Sequence, residues 1–387
     1  MALLRVAPSV EDRLASLAQA ARHDLSCACG PAEPRRRGGD GLWIYPAALP
    51  SGRTAPMLKV LQASGCERGC LYCVERLGGR GPPVTLAPEE LARAFLDLHR
   101  AGRVFGLFLS SAIRGGPVAT MDRMLATAGI LRERHRFRGY LHLKIIPGAR
   151  PDQVDRAMAL ATRLSVNAEA PSAEHLRRIA PGKAFDAQIL GPMRQIAAAE
   201  AAGRFARSGQ TTQLVVGAAG ESDREIAGAA ARLYGDLGLA RVYYSAFQPV
   251  AGTALADRPP VPFAREHRLY QVDFLLRRYG FAVDELPFDR DGLLPLDADP
   301  KAAWARLHPE RFPVEINTAP EAELLRVPGI GPASAARILD ARRAGRLRDV
   351  AALAALGVSH RVAAPHLLLD GRPAARQLDL FAAAAAR

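Results

Sequence analysis

The stretch GCERGCLYC sets Cys66, Cys70 and Cys73 at C-x3-C-x2-C spacing. A structural zinc site closes its tetrahedron with four Cys or His ligands, and no fourth such residue lies nearby in the sequence. A cubane iron–sulfur cluster takes one thiolate per iron. Three thiolates therefore leave one iron open to a nitrogen or oxygen of a bound substrate, which suits chemistry better than electron storage. The spacing predicts a [4Fe–4S] cluster on Cys66, Cys70 and Cys73; the alternatives are a zinc loop or three reduced thiols in a core. Cys27 and Cys29 (SCACG) are too few for a second cluster and read as free thiols or packing residues.

The elements that must hold this loop follow a regular alternation. Apolar, β-rich runs occur at 57–64, 104–111, 139–146, 163–170, 211–218 and 241–247, separated by segments of helical periodicity such as PEELARAFLDLHR and SDREIAGAAARLYGDL. Six strands alternating with six helices predict right-handed βαβ units around a parallel sheet, open or closed into a barrel. A further helix is expected at 265–281, a Pro/Asp-rich connector at 284–312 and a separate helical module at 313–371, ahead of a flexible tail at 372–387. Residues 1–56 read as an extension of one amphipathic helix and a Pro/Gly/Arg-rich loop, without the pattern of a secretory signal. With 387 residues, an odd five cysteines and no apolar run of membrane-span length, a disulfide scaffold and a membrane protein are both disfavoured. The expected compartment is the cytoplasm. The balance of 52 basic against 39 acidic residues gives +13 and points to a polyanionic partner.

The cysteine spacing, with the aromatic Tyr72 before the third Cys and a strand immediately upstream, resembles the signature of radical S-adenosylmethionine (SAM) enzymes. The resemblance implies a partial (β/α)6 barrel and an open iron that chelates the amino and carboxylate groups of SAM. An external electron donor would reduce the cluster, SAM would be cleaved, and a 5′-deoxyadenosyl radical would abstract hydrogen. It places Tyr72 near the adenine. Ser110 and Ser111 stand where relatives carry a Gly-Gly-Glu segment near the methionyl amine. Asn167 and Glu169 in SVNAEA match positions that bond the ribose hydroxyls, and Gly217 in VVGAAGESD matches a glycine turn lying against adenine. Ser222 and Glu225 form a capping box for the next helix. His142 and Lys144 share one face of their strand by period two, and Lys144 reads either as a substrate-side group or as polar lining.

INTAPEAELLRVPGIGPASAARILDARRAG (316–345) contains helix, tight turn and helix. A glycine turn opening a helix N-terminus presents unpaired N–H groups to an anion. The stretch resembles the helix-hairpin-helix module, which implies a phosphate grip by Gly329, Ile330 and Gly331 on DNA, supported by Arg337, Arg342, Arg343, Arg346 and Arg348. A second, degenerate hairpin is expected at 356–363; a helical protein-docking domain is the other reading. In the tail, QLDLF resembles the peptide that docks bacterial repair proteins on the sliding clamp through Gln377, Leu378, Leu380 and Phe381; an Ala-rich terminal helix is the alternative.

Taken whole, the chain resembles a radical SAM protein family associated with DNA modification or repair, and with a partner that carries a uracil-DNA-glycosylase-like region. The function this implies is radical modification or repair of DNA. The alternatives are an RNA-modifying radical enzyme and a non-catalytic iron–sulfur scaffold that binds DNA.

Overall fold

The computed structural model describes residues 8–21, 44–48, 54–76, 82–205 and 208–374. Cys27, Cys29 and the 377–381 peptide lie outside the described residues. The chain forms two compact units, Met1–His267 and Arg268–Arg387.

The first unit begins with α1 (Val10–Ala20), closed by a Ser9–Asp12 capping box. Its sheet runs in the order β1 (Ile44–Ala48), β2 (Thr54–Leu61), β3 (Gly106–Ser110), β4 (Tyr140–Lys144), β5 (Arg163–Ser165), β6 (Gln210–Val216) and β7 (Arg241–Ala246). Strands β2 to β7 are all parallel and curl into a half-barrel. The helices α2 (Pro88–Arg100), α3 (Gly116–Gly129), α4 (Pro151–Leu160), α5 (Ala173–Ile179), α6 (Gly191–Ala201) and α7 (Asp223–Leu237) fill the crossovers. In α2, Pro88 and two glutamates open the first turn and His99 and Arg100 close the last, while Leu91, Ala92, Phe95 and Leu96 form the buried stripe. The capping box at Ser222 and Glu225 is present at the start of α7.

Register shows how the two sheet faces divide. Leu58, Leu107 and Leu141 lie in one row and Val60, Leu109, Leu143 and Leu164 in another, all fully buried. The alternate row, Lys59, Phe108 and His142, turns to the opposite face. There the Phe108 and His142 rings meet edge-on at 4.2 Å, and the Lys59 ammonium lies 4.9 Å from the Phe108 centroid. Gly106 is needed where β3 meets β4, because a Cβ would sit 2.7 Å from the Tyr140 carbonyl.

Three expectations change. A seventh strand, β1, pairs antiparallel with β2 from within the region read as a loop extension. The expected barrel boundary at 283 moves to 267, because most of α8 (Phe263–Arg278) belongs to the second unit. The expected connector holds α9 (Pro300–Leu307), capped by Asp299.

The second unit continues with α10 (Glu321–Leu324), α11 (Pro332–Ala344), α12 (Val350–Ala355) and α13 (His360–Ala363). It is not purely helical: β8 (Val314–Glu315), β9 (Leu367–Leu369) and β10 (Arg372–Pro373) form a small sheet in the order β10-β9-β8. Its core gathers Ile316, Leu324, Val327, Ile338, Leu353 and Leu367.

Candidate functional site

The cysteine loop leaves the C-terminal end of β2, and neighbouring backbone ties it down. Cys66 Sγ accepts from the Arg68 and Ile113 N–H groups, both at 3.4 Å. Leu71 N–H donates to the Ile179 carbonyl at 2.8 Å, and Arg68 reaches the Gly182 carbonyl at 2.7 Å. Glu67 accepts from the Gly115 and Gly116 N–H groups at 2.8 and 3.1 Å, which hold its carboxyl below the usual range. The loop is thus fixed both to the segment after β3, which contains Ser111, and to the segment after α5.

Cys70 is buried, and Cys66 and Cys73 are half-buried. Burial pushes the Cys70 thiol up; it drives Cys73 up to about 12, and there the charge of Cys70 adds to it. Thiols held protonated in this way are poor nucleophiles. A coordinating metal would remove their protons outright. Among the described residues, no three His, Cys, Asp or Glu side chains converge on a single-ion site. A cubane spreads its thiolates wider, since each binds a different iron.

Beside the thiols stands a buried ion pair. Lys183 Nζ lies 3.0 Å from Glu169 Oε1, with side chains only 8% and 9% exposed. Glu169 has φ 65°, unusual for a residue with a Cβ, and is locked by N–H and carbonyl bonds to Gln213 and Val215 of β6. Burial raises the Tyr72 phenol well above its usual range, helped by the charge of Glu169, which also accepts its hydroxyl hydrogen bond. The structure therefore brings Tyr72, Glu169, Cys70 and Cys73 together. Lys183, which sequence reading passed over, joins them. Its signal was its rarity, as one of four lysines in an arginine-rich chain.

The remaining positions separate. Asn167 Nδ2 donates to Gln213 at 3.4 Å, while its buried Oδ1 has no partner among the described residues. Ser110 is buried at the end of β3, its carbonyl accepting from Gln62 N–H, and the Ser111 hydroxyl donates to the Ala112 carbonyl. Gly217 has φ 82°, but the group crowding it is Val261 of the same unit rather than open space for a ligand.

In the second unit, Gly329 (φ 84°) and Gly331 build the turn before α11. A Cβ on Gly329 would lie 2.8 Å from the Ser359 carbonyl, and Ser359 N–H donates to the Gly329 carbonyl at 3.1 Å. The second turn at 356–363 thus packs directly on the first. Gly331 caps α11 without a side-chain bond, and Pro332 follows. Two of the expected contact residues have partners within the unit. The Ile330 side chain is 1% exposed and belongs to the core, its N–H donates to the Val327 carbonyl at 3.2 Å, and its carbonyl accepts from Lys301. Arg342 donates to the Ile316 and Ala319 carbonyls, a structural use. Arg337 donates to the Leu356 carbonyl at 2.8 Å, Arg343 pairs with Asp340, and Arg346 and Arg348 share Asp370. These exposed pairs hold little energy and open readily to a competing anion.

Residues 61–233 match the family model of the radical SAM superfamily. The chain carries a radical SAM domain. Residues 311–356 match a helix-hairpin-helix motif. No curated protein matches the chain. Solved structures similar to this radical SAM domain include the FeFe-hydrogenase maturase HydG from Carboxydothermus hydrogenoformans, at 15% identity over 57% of this chain and 51% of that one, TM-score 0.43. Methylornithine synthase (PylB) matches at 15% over 57% and 61%, TM-score 0.45. The radical SAM methyltransferase TsrM from Kitasatospora setae matches at 12% over 55% and 39%, TM-score 0.42. The chain spans 39% to 61% of the length of these three.

Radical SAM domains use a [4Fe–4S] cluster and SAM, and the residues present fit both. Three buried or half-buried thiols gathered on one loop suit the cluster. The unpartnered Asn167 Oδ1 suits a hydroxyl donor such as a ribose. In the radical SAM domain, Cys66, Cys70 and Cys73 would hold the cluster, with Tyr72, Asn167 and Glu169 on the nucleotide side. No described helix is long and apolar enough to cross a membrane.

Proposed function

We propose that this is a radical SAM enzyme acting on nucleic acid, with DNA as the substrate. The cluster and SAM together supply a 5′-deoxyadenosyl radical for hydrogen abstraction. The protein's part is to anchor the three thiols, keep Lys183 and Glu169 paired beside them, and grip the polyanion.

The observation that carries the nucleic-acid reading is the turn at 327–331. It opens a 13-residue helix whose first N–H groups have no side-chain cap, so they are free to receive a phosphate. The net charge of +13 acts in the same direction. Phosphate contacts carry no base sequence, so the grip would position DNA rather than select a site. The peptide at 377–381 would add delivery to a sliding clamp, a role that Gln377→Ala with Phe381→Ala would abolish in a clamp pull-down.

The test is anaerobic reconstitution followed by SAM and a reductant, with 5′-deoxyadenosine measured alone, with DNA and with RNA. The expected result is stimulation by DNA and none by any addition in Cys70→Ala. Stimulation by RNA alone would redirect the proposal, and no SAM cleavage under any condition would leave a binding scaffold.

A further inference from the structure

Within the second unit, a cavity of about 500 Å³ is lined by Gln271, Phe274, Tyr279, Lys301 and the turn Gly329–Gly331. Its volume falls in the range of small-molecule sites, ample for a sugar ring. Lys301 is 6% exposed. Its Nζ donates to the Ile330 carbonyl at 2.5 Å and lies 4.6 Å from the centroid of the Tyr279 ring. Phe274 and Val362 are 44% and 47% exposed at the same cavity, an apolar rim on which bases can lean.

Lys301 is the only lysine of the second unit, which otherwise uses arginine for its basic residues. A guanidinium stays protonated and cannot act as a nucleophile, whereas a buried amine can. No carboxylate neutralises this one directly. Asp299 caps α9 through the Lys301 and Ala302 N–H groups and accepts from Gln271 at 2.7 Å. Burial lowers Lys301 to about 7, with Arg326 adding to the effect and Asp299 opposing it. A substantial fraction of the amine is then neutral near neutral pH.

We propose that Lys301 captures aldehyde-bearing sugars of damaged nucleic acid, such as the ring-opened deoxyribose of an abasic site. The proposal rests on the nucleic-acid reading above for delivery, because Gly329, Ile330 and Gly331 both form the gripping turn and line the cavity. A sugar adjoining the held phosphate therefore has the amine within the same pocket. The step needs no redox partner. The nitrogen lone pair of the neutral amine adds to C1′ and a C–N bond forms; both amine protons pass to the carbonyl oxygen, the C–O bond breaks with release of water, and an imine remains.

The full chain is incubated with a duplex carrying one abasic site, reduced with sodium borohydride, digested, and the modified peptide identified by mass. In parallel, free 2-deoxyribose 5-phosphate replaces the duplex. The expected adduct is on Lys301 in both arms. It is lost in Lys301→Arg, which retains a cation for the Ile330 carbonyl and keeps duplex binding. Adducts confined to Lys59, Lys144, Lys183 or the terminal amine would overturn the proposal, as would a bound duplex that yields none. If the duplex does not bind but the sugar phosphate labels Lys301, the nucleic-acid reading fails and the amine's reactivity stands. If the sugar phosphate also fails, the capture itself is refuted.

Discussion

Lys183 and Lys301 are both buried amines, one in each compact unit, and their surroundings drive them in opposite directions. Burial disfavours the charge of each. At Lys183 the Glu169 carboxylate at 3.0 Å and the nearby Cys70 outweigh it, and the ammonium is held charged. Lys301 has a carbonyl, a ring face and a carboxylate already occupied with a helix cap, so burial wins. The contrast shows that depth alone does not decide protonation; a carboxylate in direct contact with the amine does. It also separates roles: a fixed cation beside the thiols, and a titrating amine beside the hairpin.

Changes at four residues would break or sharpen that contrast. The largest effect is expected from Cys70→Ala, which removes a proposed cluster ligand and a neighbour of Lys183. Iron content and 5′-deoxyadenosine formation should fall to background, while DNA affinity, measured by salt-titrated binding, stays unchanged. Lys183→Met leaves Glu169 buried without its cation. A loss of about 3–5 kcal/mol in the first unit is expected in denaturant unfolding, partly restored by Lys183→Arg; an unaffected midpoint would mean the pair contributes nothing.

Gly329→Ala forces a side chain into φ 84° and against the Ser359 carbonyl. It should cost about 1–3 kcal/mol and weaken DNA binding, without altering cluster loading. Lys301 gives the most specific signal, a dependence on pH. Its folded value of about 7 lies below its ordinary 10.5, so the unfolded chain holds the extra proton between those values. Stability should therefore rise across that window by about 1.4 kcal/mol per pH unit. The difference between wild type and Lys301→Met should carry that slope, and parallel curves would refute the lowered value.

Much of this was legible in sequence because strong periodicity and fixed spacing survive without coordinates. The six parallel strands appeared as apolar runs, and the loop after the first of them carried three cysteines eight residues end to end. Strand β1 was hidden because IYPAA includes a proline and no alternation. The small C-terminal sheet was hidden because strands of two and three residues carry no period. Lys183 was missed for a different reason. It follows α5, over a hundred residues after the cysteine loop, and bonds such as Leu71–Ile179 and Arg68–Gly182 bring the two segments together. The bonds of Arg342 were not legible either, since a basic residue in a charged run cannot be told from one reaching backbone carbonyls until the chain is folded.

The central claim is that three thiolates leave a cluster position for SAM. Electron paramagnetic resonance of the anaerobically reconstituted, reduced protein, recorded with and without SAM, tests it most directly. A [4Fe–4S] signal that changes on adding SAM is the predicted result. Zinc in place of iron, or a cluster signal indifferent to SAM, would contradict it.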